Sequence, residues 1–435
     1  MSEYVELAYA AATSRLCLFT GTGFSKAVSN GEAPTWKELL KKVCSKVHNA
    51  KQLEDTLFPD DKPPALSLEE AAQILSLKLN IEGKSIYDEI VEIISPIQLG
   101  EDISNIKDFF QKNSFRVITT NYDKLAECLT GDEEVQSITP GLPIPKYSSK
   151  VKIYHVHGSI DSPKNMVVTS EDYFRFINSD TYFSQKLSTI LHENTVVILG
   201  YSLSDTNLKA IINSYKTFSK DNALCSNIFF ISHGEVSQDM KDYYFYCFGI
   251  RVIDNTEIDD FFHRLSSKIL LIEDIIERAR ENIRKVIVGS HTYKNEYIRL
   301  EDSFYQIISS IISEGLDWSD SRVVEFFKRI IEQKRNLTRE SGAWEQYEQL
   351  AKWLIYFGSI IEIAGTKYEK AYLEAVEYSM SNMSKERRLG YSWHAYRAWE
   401  TRWSTIIASN RLIIKKHIEE LGVLDDANSI VKNIV

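Results

Sequence analysis

Four short apolar runs in the first half of the chain each stop at a polar segment. Leu16–Phe19 leads into Gly21-Thr22-Gly23-Phe24-Ser25, and Phe115–Ile118 into Thr119-Thr120-Asn121-Tyr122-Asp123. Lys152–Tyr154 leads into His155-Val156-His157-Gly158-Ser159, and Thr195–Leu199 into Gly200-Tyr201-Ser202. Short β-rich runs bounded in this way read as parallel strands. Their carboxyl ends share one edge of a sheet, and ligands of open α/β sheets bind at that edge. Ile228–Ser232 and Ile250–Ile253 read as two further strands, the second at a sheet edge.

Helical patterns fill the intervals. Residues 1–14 form a leading helix, and Thr35/Glu38 and Ser67/Glu70 have the spacing of capping boxes that start helices. Residues 35–112 therefore read as a helical insertion between the first two strands. Asp205–Ser214 has the spacing of a crossover helix, with Asp205 and Asn207 as its caps. Strand and helix alternate to about residue 265, which predicts an α/β domain with a doubly wound parallel sheet. Beyond 270 the apolar spacing is helical throughout, in segments 274–288, 300–313, 320–336, 342–364, 367–382 and 391–421. Trp318, Trp344, Trp353, Trp393, Trp399 and Trp403 all lie there. Two domains are expected: 1–270, and an all-α domain over 271–435 for oligomerisation, regulation or partner binding.

Composition narrows the setting. At 435 residues the chain exceeds one typical core. Its net charge of -10 argues against broad nucleic-acid or membrane binding. The five cysteines, Cys17, Cys44, Cys128, Cys225 and Cys247, are scattered and form no CxxC, which fits reduced thiols and no zinc site. The acidic amino terminus lacks a signal peptide's basic start, and no apolar run approaches the roughly 18 residues of a membrane helix. A cytoplasmic protein is expected.

The strand-end segments carry the candidate chemistry. Gly21 and Gly23 permit positive φ and close backbone approach, so that successive N–H groups could face a phosphate; a plain tight turn is the alternative. Lys26 stands where a dinucleotide fingerprint places its third glycine, which disfavours a dehydrogenase. Asn121 and Asp123 share strand parity and point to one side, unless Asp123 merely caps the next helix. His155 and His157 also share parity, and His157 could accept a proton near neutrality. Gly200-Tyr201-Ser202 adds a hydroxyl-bearing turn. There is no HExxH and no GxSxG, and Ser25 has no evident base beside it in sequence.

Taken in order, Gly21-Thr22-Gly23-Phe24-Ser25, Thr120-Asn121-Tyr122-Asp123, His157-Gly158 and Gly200-Tyr201-Ser202 resemble the motifs of the sirtuin family. The resemblance covers residues 16 to about 254 and implies a Rossmann-like NAD-binding domain. It implies that Asn121 and His157 are central to breaking the nicotinamide–ribose bond. Gly21, Thr22, Gly23, Phe24, Ser25, Asp123, Gly200, Tyr201 and Ser202 would hold NAD. The missing cysteine pairs and Thr120 in place of the family's Gln look like a bacterial branch that hydrolyses NAD in phage defence instead of deacylating lysine. That likeness implies NAD as substrate, with nicotinamide and ADP-ribose as products and no zinc. It also implies a homo-oligomer or a separate sensor or ATPase partner protein. A non-catalytic NAD- or ADP-ribose-sensing module and an NAD-dependent deacylase are the alternatives. The aromatic residues after 270 are expected in a helical core or subunit interface. Tyr391–Arg402 could instead stack on nucleic acid bases, a lesser alternative given the charge.

Overall fold

The apolar runs become strands because their side chains fill both faces of a buried sheet, as central parallel strands require. The computed structural model describes residues 2–59, 65–131, 134–178, 182–202, 212, 227–289, 291–341, 345–386, 391–422 and 425–432. Its strands are β1 (Leu16–Thr20), β2 (Phe115–Thr119), β3 (Val135–Ile138), β4 (Val151–His155), β5 (Thr195–Leu199), β6 (Ile228–Ile231) and β7 (Ile250–Ile253). They form one sheet in the order β3-β4-β2-β1-β5-β6-β7. Every pairing is parallel, and β7 sits at an edge as expected.

Side chains of successive strand residues point to opposite faces. Leu16, Leu18, Val117, Ile153, Val197 and Leu199 face one hydrophobic core, and Cys17, Phe19, Ile118, Tyr154, Val196 and Ile198 the other. The second core is closed by Leu187, Ile190, Tyr244 and Phe248 from helices Tyr182–Glu193 and Gln238–Phe248. The first runs without a break into the carboxyl-terminal helices, taking in Phe304, Phe327, Trp353, Phe357 and Trp399. Residue 270 lies inside a single 31-residue helix, Ile258–Val288, which packs against Ser2–Ala12. The helical half thus shares one core with the sheet.

Polar contacts also cross this junction. Arg251 on β7 pairs with Glu6, which also accepts from Tyr356 Oη at 3.1 Å. Arg411 pairs with Asp242. Tyr396 and Trp399 of the Tyr391–Arg402 helix are buried, so their rings pack the core.

Both capping boxes are present, at Thr35/Glu38 and Ser67/Glu70, and they start helices Trp36–Cys44 and Leu68–Ile81. The insertion between β1 and β2 has its own small core of Leu39, Leu40, Val43, Leu75, Leu79, Ile86 and Ile90. Tyr122, Met166 and Val168 join that core, which seats the insertion over the sheet edge. The expected helix 391–421 is instead two, Tyr391–Arg402 and Ala408–Leu421. Arg411 donates to the carbonyls of Ser404 and Ile406, drawing the intervening backbone out of the helix. The expected crossover helix Asp205–Ser214, with its caps Asp205 and Asn207, lies outside the described residues except for Ile212, as do Cys225 and Trp344.

Candidate active site

The register of the sheet puts the four polar segments side by side. Thr20 pairs with Thr119 and with Leu199, and Thr119 pairs with His155. One transverse row therefore ends all four strands, and the chain beyond each enters a common cleft. The order of strand addition reverses about β1, since β2 lies on one side of it and β5 on the other. Such a switch point is where open α/β sheets bind ligands.

A cavity of about 1060 Å³ occupies this edge. That is at the upper end of the roughly 300–1,000 Å³ of small-molecule sites and suits an extended dinucleotide. Thr22, Gly23, Ser25, Asn121, Asp123, His157, Gly200, Tyr201 and Ser202 all line it. Gly21 and Phe24 do not: Phe24 is buried in the core, stacked on Phe110 at 6.0 Å, and Gly21 lies beneath Asn121.

The glycines act differently from the sequence expectation. Neither Gly21 nor Gly23 has a positive φ. Their N–H groups donate to Leu199 O at 3.0 Å and Gly200 O at 2.9 Å, so these amides are not offered to a phosphate. What requires glycine is the contact between two strand ends. A Cβ on Gly23 would lie 2.8 Å from Gly200 Cα, and one on Gly200, at φ +70°, would overlap Phe24 N.

Asn121 is fixed by hydrogen bonds at nearly every polar atom. Its N–H donates to Thr119 Oγ1 at 3.1 Å. Its Nδ2 donates to Gly21 O at 2.8 Å and Ser25 Oγ at 2.7 Å. Since Gly21 O only accepts, the amide orientation is determined. Ser25 Oγ in turn donates to Asp123 Oδ2 at 2.7 Å, so the serine does have a carboxylate beside it, and its proton is committed there. Among the described residues, the buried Asn121 Oδ1 has no hydrogen-bond partner. A buried orphan acceptor carries a desolvation cost of about 1–3 kcal/mol that a ligand donor would relieve.

Asp123 is raised above the usual carboxylate range by burial, against the lowering effect of the Ser25 hydroxyl and the Leu125 N–H. Both of its oxygens accept a hydrogen bond, Oδ1 from Leu125 N–H at 3.1 Å. Those two bonds favour the carboxylate and oppose the rise that burial causes.

His155 and His157 part ways despite their shared parity. His155 ends β4 and is fully buried beneath Asn121, whereas His157 turns into the cavity wall. Tyr173 and Phe176 present their rings edge-on to His157 at 5.3 and 5.1 Å. Burial pulls the His157 pKa down to about 4. The ring is therefore neutral at pH 7, with an unprotonated nitrogen, and is a weaker base than the reference value near 6.5 gave it.

A depressed base binds fewer protons folded than unfolded between pH 4 and the reference 6.5. Its contribution is intact above pH 6.5 and is lost as pH falls toward 4, about 3 kcal/mol in all. His157→Phe should shrink this acid-side loss. Urea unfolding at pH 7 and pH 4.5 measures it, and an equal loss in wild type and variant would refute the assignment.

Sequence reasoning missed several wall residues. Trp36 and Tyr173 reach the cavity from the helical insertion and from helix Ser170–Asn178, where no strand end marks them. Ser232 and Thr256, just past β6 and β7, were legible by the strand-end rule itself. His233 and Glu257 also line the wall and pair with each other. Trp36 Nε1, also in this wall, is likewise buried without a hydrogen-bond partner among the described residues.

The model of the SIR2-like domain matches residues 116–253. This stretch of the chain is similar to SIR2-like domains. Among curated proteins, defense-associated sirtuin 2 of Bacillus subtilis is 23% identical over 284 residues, covering 64% of this chain and 27% of that protein. NAD(+) hydrolase ThsA of Bacillus cereus strain MSX-D12 is 24% identical over 224 residues, covering 49% and 42%. NAD(+) hydrolase ThsA of Enterococcus faecium is 29% identical over 110 residues, covering 24% and 23%. The chain thus spans less than half the length of each of these relatives. The SIR2-like match takes in Asn121, Asp123, His157 and the Gly200 turn, while the Gly21–Ser25 turn lies ahead of it.

Among the described residues, no His, Cys, Asp and Glu cluster could hold a metal ion, and Cys17, Cys44, Cys128 and Cys247 are not in disulfides. No described helix is long and apolar enough to cross a membrane.

Proposed function

We propose that the cleft hydrolyses the N-glycosyl bond of NAD, giving nicotinamide and ADP-ribose, and that the protein is a regulated effector of bacterial anti-phage defence by NAD depletion. The observation that carries this reading is Asn121. It is an amide in the wall of a dinucleotide-sized cavity, with its nitrogen clamped and its buried oxygen without a partner among the described residues, and the cavity wall also carries a neutral buried imidazole. The relatives named as NAD(+) hydrolases and as a defense-associated sirtuin supply the reaction class and the setting.

Nicotinamide leaves NAD as a neutral molecule, so departure needs no strong acid. The transition state is oxocarbenium-like, and catalysis comes from position and electrostatics. Asn121 Oδ1 accepts from a ribose hydroxyl or the attacking water and holds it against the anomeric carbon. His157 takes the proton released there. The Asp123 carboxylate lies close enough, through Ser25, to favour the developing cation. The pyrophosphate runs along the touching turns of Thr22–Ser25 and Gly200–Ser202, with the Thr22 and Ser202 hydroxyls as its donors.

The test is the NAD pool of cells carrying wild type or His157→Ala, followed through phage infection. The pool should collapse with wild type and hold with the variant. Equal pools in both would sink the proposal.

A further inference from the structure

β2 ends at Thr119, so the Asn121 peptide lies beyond the sheet ladder. A buried carbonyl that loses its ladder partner needs another donor. His155 supplies it: its Nδ1 lies 3.3 Å from Asn121 O. The other ring nitrogen, Nε2, lies 2.8 Å from Glu127 Oε1. The ring thus bridges the Asn121 carbonyl and the Glu127 carboxylate.

Glu127 is held in turn. Lys124 Nζ lies 2.7 Å and Ser137 Oγ 2.7 Å from the same oxygen, and Lys124 also reaches Asp161 at 2.8 Å. Burial alone would raise the Glu127 pKa, but His155 and Lys124 together bring it down to about 2. The carboxylate is thus a fixed anchor for His155.

We infer that Glu127 and His155 are positioning residues for NAD cleavage, acting in series through the main chain of Asn121. Neither lines the cavity. The inference takes the NAD-cleavage reading as its premise and adds a second clamp to Asn121. One clamp grips its side chain from the Gly21 turn, and the other grips its carbonyl from β4. A displacement near 1 Å at a reacting group costs up to about 10²-fold in rate.

Two substitutions separate positioning from simple packing. In His155→Asn the side-chain amide nitrogen occupies the place of Nδ1 and still donates to Asn121 O. In His155→Gln the nitrogen sits farther out, toward Glu127, and Asn121 O is left unpaired. His155→Gln should lower kcat roughly 10- to 100-fold with KM within about twofold. His155→Asn should restore kcat to within about threefold of wild type. Glu127→Gln should reduce kcat in the wild-type background and add little on top of His155→Asn, since both act through one ring.

Crystal structures of the two His155 variants decide the point without turnover. Asn121 Oδ1 should keep its position in His155→Asn and shift in His155→Gln. An unmoved Asn121 in both variants, or kcat losses that follow Tm alone, would overturn the inference. Wild-type turnover indifferent to Asn121→Ala would instead overturn the NAD-cleavage premise, leaving the crystallographic prediction standing on its own.

Discussion

Asn121→Ala should lower kcat/KM for NAD by at least roughly 10²- to 10³-fold while the protein stays folded, the size of effect seen when one oriented polar group is removed from a reacting centre. The substitution deletes the orphan acceptor and both side-chain bonds, to Gly21 O and Ser25 Oγ. Asn121→Asp should be at least as harmful. A carboxylate has no proton for Gly21 O, and it would stand near Asp123 with like charge. Nicotinamide release at several NAD concentrations, with a thermal melt for each variant, measures both. A loss of Tm matching the loss of rate would show that Asn121 supports only the fold.

The second large effect belongs to Gly200. Its φ of +70° is a left-handed conformation that costs other residues about 1–2 kcal/mol, and an added Cβ would also overlap the Phe24 backbone nitrogen. The Gly23 and Gly200 backbones touch, so β1 and β5 would have to separate at the mouth of the cleft. Gly200→Ala should therefore cost at least about 3 kcal/mol and abolish turnover. Gly31 is the control, with a φ of +86° and open space where a Cβ would go. Gly31→Ala should lose only the left-handed term, about 1–2 kcal/mol. Denaturant titration of the two variants compares them, and equal destabilisation would show that the strand-end contact carries no weight.

The parts of this site that could be read from the chain are those tied to strand ends. A short continuous apolar run and an abrupt polar stop located Asn121, Asp123, His157 and the Gly200 turn, because the sheet register then fixes their neighbours. β3 escaped notice because its four residues include Gln136 and Ser137, which break the apolar run. What Gly21 and Gly23 do was also hidden. Their need for glycine comes from Gly200, far away in sequence, and no local pattern reports such an approach. His155 and His157 looked equivalent by parity, yet the turn at Gly158, with φ +84°, rotates one into the cavity and leaves the other under the sheet edge. The Trp36 and Tyr173 walls depend on how the insertion packs, through Tyr122 and Met166, and that is a tertiary result.

The central claim is that this cleft, through Asn121, cleaves NAD without an acyl acceptor. Chromatography of NAD incubated with purified wild type and Asn121→Ala, each with and without an acetyl-lysine peptide, tests it most directly. Wild type should release nicotinamide and ADP-ribose in equal amounts whether or not the peptide is present, and the variant should release neither. Nicotinamide release that requires the peptide, or that persists unchanged in Asn121→Ala, would contradict it.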